Sequence, residues 1–159
     1  MDETVTGSVL VVDDEAGMRH ILNKLFSSEG YTVFTAESAH EALELAQNDH
    51  PDIAFLDIRI PDMNGLELLT ALKGQDPDLV VIMMTAFGTV ETAVQAIKSG
   101  AYEYITKPFE NDKILVMASN AIERRRLIDR TRRLTEEVQD RRSFEGLIGR
   151  SKSLQELTR

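Results

Sequence analysis

The sequence predicts an α/β fold in which a doubly wound, five-stranded parallel sheet is covered by helices on both faces. Five short runs rich in β-branched residues alternate with five amphipathic stretches, and right-handed crossovers turn such a pattern into a parallel sheet. The central runs IAFLD (53–57) and LVVIMMT (79–85) are almost entirely apolar, as strands buried on both faces are. Helical periodicity from Asn111 to about Arg142 is long for a globular helix and favours an extended C-terminal coiled-coil helix.

The elements follow one another as pairs of a strand and a helix. SVLVVDD is strand-like and precedes a helix from about Ala16 to Ser28, whose apolar residues recur on one face. YTVFTA precedes SAHEALELAQND, IAFLD precedes GLELLTALKG, LVVIMMT precedes TVETAVQAIKSG, and YEYIT precedes the long last helix. Glycines at positions 30, 74 and 100 are expected to mark helix ends.

Composition narrows the class of protein. With 159 residues, 42% of them hydrophobic, the chain can bury a real core, and it contains no cysteine for disulfides or a thiolate zinc site. No run approaches the roughly 18 apolar residues of a membrane span, and the acidic N-terminus lacks a secretion signal. A cytoplasmic protein with no membrane partner is expected.

Charge is unevenly distributed along the chain. Residues 1–122 hold 20 acidic and 7 basic side chains, whereas residues 123–159 hold 7 acidic and 11 basic ones. The acidic part would repel phosphates, and the arginine-rich stretch from 124 to 142 is better interpreted as a solvated helix face than as a DNA contact. No nucleic-acid partner is therefore expected for this fragment.

Polar residues stand where four of the five predicted strands end. These residues are Asp13 and Asp14 after the first strand, Asp57 after the third, Thr85 after the fourth and Lys107 after the fifth; the second strand contributes nothing comparable. Ligand sites of doubly wound sheets lie at the carboxyl ends of the strands. The five side chains are therefore expected to converge on one candidate site.

Crowded carboxylates raise one another's pKa unless a cation is present, so a hard divalent ion is expected at this site. Magnesium fits best because it prefers oxygen ligands and retains water positions for a phosphoryl donor. The expected ligands are Asp13, Asp14, Asp57 and a backbone carbonyl near Arg59.

Within this site, Asp57 has the chemistry of a nucleophile that forms an acyl phosphate. Lys107 is expected to pair with Asp57 and then with a phosphoryl oxygen, to which Thr85 can also donate. Taken singly, each residue has a simpler interpretation: Asp13 or Asp14 as a helix cap, Thr85 as a strand-end threonine, Lys107 as a solvated lysine. Their joint placement favours the functional interpretation.

Four segments carry a resemblance to a known family. VLVVDDE, FLDIRIPDMNG, MMTAFG and YITKPF resemble the receiver domain of bacterial two-component response regulators, over residues 8 to about 122. The resemblance implies a flavodoxin-like or CheY-like strand order, 2-1-3-4-5, and a sensor histidine kinase as partner. It also implies that Asp57 is the phosphoacceptor, that Asp13 and Asp14 bind magnesium, that Thr85 is the switch hydroxyl and that Lys107 is the charge sensor.

The same resemblance implies how such a site would switch. Thr85 moves toward the phosphoryl group and Tyr104, at the family's rotating aromatic position, turns inward. The peptide bond between Lys107 and Pro108 is expected to be cis. Arg59 and Phe87 occupy positions that modulate the loss of the phosphoryl group.

The C-terminal part predicts two further segments after a receiver domain at 1–122. Residues 123–142 are interpreted as a helical coiled-coil linker, with Leu127, Thr131, Leu134 and Val138 at a and d spacing. Two glycines are then expected to end the helix, and a new amphipathic segment begins near Ser153. Residues 143–159 resemble the start of the AAA+ ATPase domain of NtrC-type activators of sigma-54 RNA polymerase.

The leading hypothesis is a response regulator whose phosphorylation controls an attached ATPase and transcription through a homodimer of helix 4, strand 5 and the linker helix. The full-length protein would act on sigma-54 RNA polymerase and DNA. This fragment lacks the phosphate-binding GxxxxGK[ST] loop of an ATPase. It is therefore not expected to be an enzyme beyond self-phosphorylation and slow self-dephosphorylation. A magnesium-dependent aspartyl phosphatase is an alternative, although Arg59 stands where it would need a carboxylate. A structural dimerisation module with an idle site is another.

Overall fold

Five parallel strands form one sheet in the order β2-β1-β3-β4-β5, which confirms the predicted architecture. In this computed structural model, residues 7–86 and 89–150 are described, with side chains described through residue 135. The strands are β1 (Ser8–Val12), β2 (Thr32–Ala36), β3 (Ile53–Asp57), β4 (Val80–Thr85) and β5 (Glu103–Thr106). The helices are α1 (Ala16–Ser28), α2 (Ala39–Asp49), α3 (Gly65–Gln75), α4 (Val90–Lys98) and α5 (Asn111–Arg150).

The core lies on both faces of the three central strands. Every residue of β3 and β4 is buried, as is β1 after Ser8, because helices cover a parallel sheet on each side. On one face Phe55 packs against Phe26 of α1 with ring centroids 5.1 Å apart. This rigid centre fixes the positions of the strand ends.

Local sequence signals define the starts of three of the five helices. Ser38 and Thr89 cap α2 and α4 with their side chains, and Asn64 forms a capping box with Glu67 at the start of α3. Gly100, at φ 112°, follows α4 in the left-handed region that favours glycine. The helix end expected at glycine 74 lies one residue later, because α3 ends at Gln75 and Asp76 is its C-cap.

The last helix is longer than predicted. It extends to Arg150, so the expected end near Arg142 was wrong. A glycine inside a helix costs only about 1 kcal/mol relative to alanine, and the glycines at 146 and 149 therefore do not interrupt it. The amphipathic segment expected near Ser153 lies outside the described residues.

The chain divides into two units, Met1–Arg125 and Arg126–Arg159. Within the first unit, α5 buries Ile114, Ala118 and Ile122, and Arg125 forms a 3.0 Å ion pair with Asp76. Within the second, Leu127 and Leu134 are 53% and 56% exposed. No helix in the described part of the chain has the length and hydropathy needed to cross a membrane.

Candidate functional site

The carboxyl ends of four strands place the predicted polar residues together. Asp13 follows β1, Asp57 ends β3, Thr85 ends β4 and Lys107 follows β5. The parallel register aligns these ends, with Asp57 opposite Met84 and Thr85 beside the last residue of β5. Asp13, Asp57 and Thr85 are only 0%, 8% and 5% exposed, and they are the buried polar residues of the described chain.

Lys107 joins two of the carboxylates. Its Nζ lies 3.1 Å from Asp57 Oδ2, which confirms the predicted pairing, and 2.7 Å from Asp13 Oδ2, which was not predicted. The Lys107 backbone N–H also donates to the carbonyl of Thr85 at 2.7 Å. The lysine therefore neutralises charge contributed by both β1 and β3.

Burial acts in opposite directions on the pKa values of Asp57 and Lys107. Burial raises the pKa of Asp57; the Arg59 backbone N–H and the Lys107 charge lower it, Asp13 raises it, and the net shift is upward. Burial lowers the pKa of Lys107, but the hydrogen bond and charge of Asp13, followed by the charge of Asp57, outweigh burial and raise it. Lys107 therefore remains an ammonium, whereas ionisation of Asp57 is less favourable than that of an aspartate in water.

A third carboxylate completes the cluster. One oxygen from each of Asp13, Asp14 and Asp57 lies within 4.8 Å of the others, with Asp14 exposed to solvent. Three carboxylates against the single Lys107 ammonium leave a formal charge of −2, which a divalent cation would balance. The donors are hard oxygens, the type that magnesium prefers, so the residues fit a metal of this class.

The loop after Asp57 is closed tightly under the site. The Gly65 N–H donates to the Ile58 carbonyl at 2.8 Å, and Arg59 pairs with Asn64. The Arg59 N–H donates to Asp57 Oδ1 at 3.2 Å. A Cβ at Gly65 would collide with the Asp57 carbonyl oxygen and lie 2.6 Å from Ile58 Cα, so only glycine fits this close approach.

The end of β2, which contributed nothing to the sequence prediction, supports the site through its backbone. The Ala36 carbonyl accepts the Asp13 N–H at 3.1 Å. Asp62, in the loop after Asp57, accepts the N–H groups of Ala39 and His40 at 2.8 and 3.0 Å. The Ser38 capping pattern locates the start of α2 in the sequence, but no local signal identifies Asp62 as its second partner.

The remaining predicted residues have different outcomes. Tyr104 is half-buried on β5, opposite Met83, and packs against the core; its rotation stays a prediction. The Lys107–Pro108 bond is cis, as expected. Phe87 lies outside the described residues.

Comparison with known proteins agrees with this geometry. The response regulator receiver domain family matches residues 9–119. The C4-dicarboxylate transport transcriptional regulatory protein DctD of Pseudomonas aeruginosa is 40% identical over 151 residues, which cover 94% of this chain and 32% of that protein. The nitrogen assimilation regulatory protein NtrX of Azorhizobium caulinodans is 37% identical over 151 residues, with the same coverage of each chain.

Solved structures show the same relationship. NtrX from Brucella abortus, solved with ADP, has a TM-score of 0.77 at 38% identity and covers 81% of this chain and 30% of its own. A beryllofluoride-activated NtrC4 receiver domain dimer has a TM-score of 0.71 at 38% identity and covers 74% of this chain and 98% of its own. The chain spans about a quarter to a third of the length of curated relatives such as DctD, NtrX and NtrC. It belongs to the response regulator receiver domain family, and its relatives include regulators of the NtrC, NtrX and DctD type.

Proposed function

We propose that this chain is the phosphorylation-controlled part of an NtrC-type, sigma-54-dependent response regulator, and that Asp57 accepts a phosphoryl group from a sensor histidine kinase in the presence of magnesium. One observation carries the proposal: buried Asp57 contacts the Lys107 ammonium and lies within 4.8 Å of two further carboxylates. A buried carboxylate placed between an ammonium and a cation site is suited to nucleophilic transfer.

In the transfer, an Asp57 oxygen attacks phosphorus, an acyl phosphate forms, and the bond between phosphorus and the donor's histidine nitrogen breaks. Bound magnesium would balance charge on the phosphoryl oxygens. It would be held by Asp13, Asp14, Asp57 and the Arg59 backbone carbonyl. Lys107 holds a phosphoryl oxygen and so retains a partner after transfer.

We propose that the phosphoryl group on Asp57 is hydrolysed only slowly. An aspartyl phosphatase would need a second acid or base near Asp57, and the residue two positions later is Arg59, which is exposed. The chain therefore undergoes self-phosphorylation and slow self-dephosphorylation but does not hydrolyse phosphate esters repeatedly. Thr85, buried at the end of β4, donates its hydroxyl to the phosphoryl group, and Tyr104 follows it inward.

The readout surface is proposed to be a homodimer formed by α4, β5 and the linker helix. Val90, Val94 and Ile97 are exposed at one face of α4 with helical spacing. Leu127 and Leu134, exposed on the last helix, are seven residues apart and so repeat one heptad position of a coiled-coil seam. A second copy of this chain would cover both apolar surfaces with two-fold symmetry.

In the whole protein, residues 1–122 would form the receiver, 123–142 the coiled-coil linker and 143–159 the start of an AAA+ domain that acts on sigma-54 RNA polymerase at DNA. The relatives named as transcriptional regulatory proteins support this assignment. Residues 1–122 are acidic on balance, so DNA contact is proposed to lie elsewhere in that protein. We propose that the protein acts in the cytoplasm.

The direct test is phosphorylation by acetyl phosphate, measured by intact mass with and without magnesium. The native chain should gain one phosphoryl group only with magnesium, and Asp57→Asn should gain none. Asp49→Asn, which alters an exposed carboxylate on α2, is the matched control and should behave as the native chain does. Equal labelling of Asp57→Asn would reject the assignment of the acceptor.

The dimer has its own test, light scattering with magnesium and beryllofluoride. A change of mass or shape in the native chain but not in Asp57→Ala would show that the acceptor site controls assembly. An unchanged native chain would separate dimerisation from Asp57.

A further inference from the structure

Asp62 links the loop after Asp57 to the start of α2. Its two carboxylate oxygens accept the N–H groups of Ala39 and His40 at 2.8 and 3.0 Å. The first amides of a helix have no partner within the helix, and the helix dipole favours an anion there. These two hydrogen bonds lower the pKa of Asp62, so the carboxylate is ionised at neutral pH and makes both contacts.

The start of α2 is also connected to the loop that carries Asp13. The Ala36 carbonyl accepts the Asp13 N–H at 3.1 Å. The Arg19 guanidinium donates to the Asp13 carbonyl at 2.8 Å and reaches Glu37 at 3.4 Å. The segment from Ala36 to His40 therefore contacts both loops that hold candidate metal ligands.

The loop between Asp57 and α3 is fixed at its base and at its tip by different contacts. At the base, Gly65 N–H donates to the Ile58 carbonyl. Toward the tip, Ile60 is buried in the core, and Asp62 makes the two hydrogen bonds to α2. Apolar packing of Ile60 is non-directional, whereas the paired hydrogen bonds of Asp62 fix both the distance and the orientation of the loop.

We propose that Asp62 is a positioning residue of the acceptor site: by bridging the loop after Asp57 to the start of α2, it sets the distance between the Asp57 loop, with its Arg59 carbonyl, and the Asp13 loop. The inference rests on the proposed function, because it concerns the same magnesium site. Asp62 acts through the backbone of the loop and is not one of the three carboxylates of the candidate metal site.

Magnesium affinity of the whole 159-residue chain tests the proposal, measured by titrating magnesium chloride and following amide NMR signals. Residues that orient metal ligands typically change affinity by about 10-fold to 100-fold, and Asp62→Ala should raise the Kd for magnesium by about 10-fold. Asp62→Asn should show a smaller rise, since its amide oxygen accepts hydrogen bonds but carries no charge. The amide spectra report at the same time whether each variant is folded.

Ser38→Ala is the matched control. The Ser38 hydroxyl caps the same helix by accepting the Glu41 N–H at 3.2 Å, but it belongs to α2's own capping segment and not to the Asp57 loop. Ser38→Ala should weaken the helix start and leave the Kd for magnesium within about 2-fold of the native value, a difference of about 0.4 kcal/mol.

The outcomes separate the two levels of proposal. A native chain that does not bind magnesium would overturn the proposed function, and this inference with it. A native chain that binds magnesium, with an unchanged Kd in Asp62→Ala and Asp62→Asn, would overturn the positioning role alone. An equal loss of affinity in Ser38→Ala would also overturn it, because the effect would then belong to helix capping in general.

Discussion

Replacing Gly65 with alanine should damage the acceptor loop directly. An added Cβ would collide with the Asp57 carbonyl oxygen and lie 2.6 Å from Ile58 Cα and 2.8 Å from the Ile58 carbonyl oxygen. All three atoms belong to the backbone of the strand end that carries Asp57. No side chain can rotate away to make room, so either the loop or the start of α3 has to move.

The magnitude follows from two opposing contributions. Overpacking costs about 1–3 kcal/mol when neighbours can adjust, and rigid backbone neighbours place Gly65→Ala near the upper end. Alanine is about 1 kcal/mol better than glycine in a helix, which offsets part of the cost. A net loss of about 2 kcal/mol in the free energy of unfolding corresponds to a Tm lower by about 4–8 °C for a chain of this size.

Thermal unfolding followed by circular dichroism measures this shift, and Gly74→Ala is the control within the same helix. A Cβ at Gly74 would meet nothing within 4 Å, so the variant should gain up to about 1 kcal/mol from helix propensity alone. Acetyl phosphate labelling should slow in Gly65→Ala and stay native in Gly74→Ala. Equal Tm values for the two variants would refute the close-approach argument.

Three further predictions concern charge at the site. Lys107→Met should lower the free energy of unfolding by about 3 kcal/mol in urea at neutral pH without magnesium, since Asp13 and Asp57 lose their shared cation; a loss below about 1 kcal/mol would contradict this. Burial raises the pKa of folded Asp57 above its ordinary 3.8, so the folded state binds this proton more tightly than the unfolded state. Relative to Asp57→Asn, the native chain should therefore lose stability as the pH rises from about 3 through the folded pKa, and the difference should then level off; parallel pH profiles in urea unfolding would rule this out. Magnesium at 100 times its Kd should stabilise the native chain by about 2.7 kcal/mol and Asp57→Asn by clearly less, as a shift of the urea midpoint, and equal shifts would exclude Asp57 as a ligand.

The features that the sequence predicted well are those encoded locally. Strand and helix periodicities, read in chain order, predict the five-stranded parallel sheet, and the rule that parallel strands end at one edge then brings Asp57 and Lys107 together. The helix end near Arg142 was wrong because glycines at 146 and 149 carry too small a penalty to decide a boundary in an otherwise helical stretch.

The contacts that could not be predicted join segments far apart in the chain. Lys107 lies closer to Asp13 than to Asp57, although 94 positions separate Lys107 from Asp13. That preference depends on side-chain placement across the sheet, which no local pattern encodes. The same holds for Asp62, because its neighbours in the sequence are those of an ordinary loop aspartate.

The bridge made by Lys107 gives the folded protein an internal counterion. Its ammonium contacts Asp13 and Asp57, two of the three carboxylates of the candidate magnesium site, so a divalent ion that bound there would compete with the ammonium for these carboxylates. Two consequences follow. The two buried carboxylates share one positive charge before any metal binds, which reduces the repulsion between them, and an ammonium displaced by a divalent ion would become available to the next anion that enters the site.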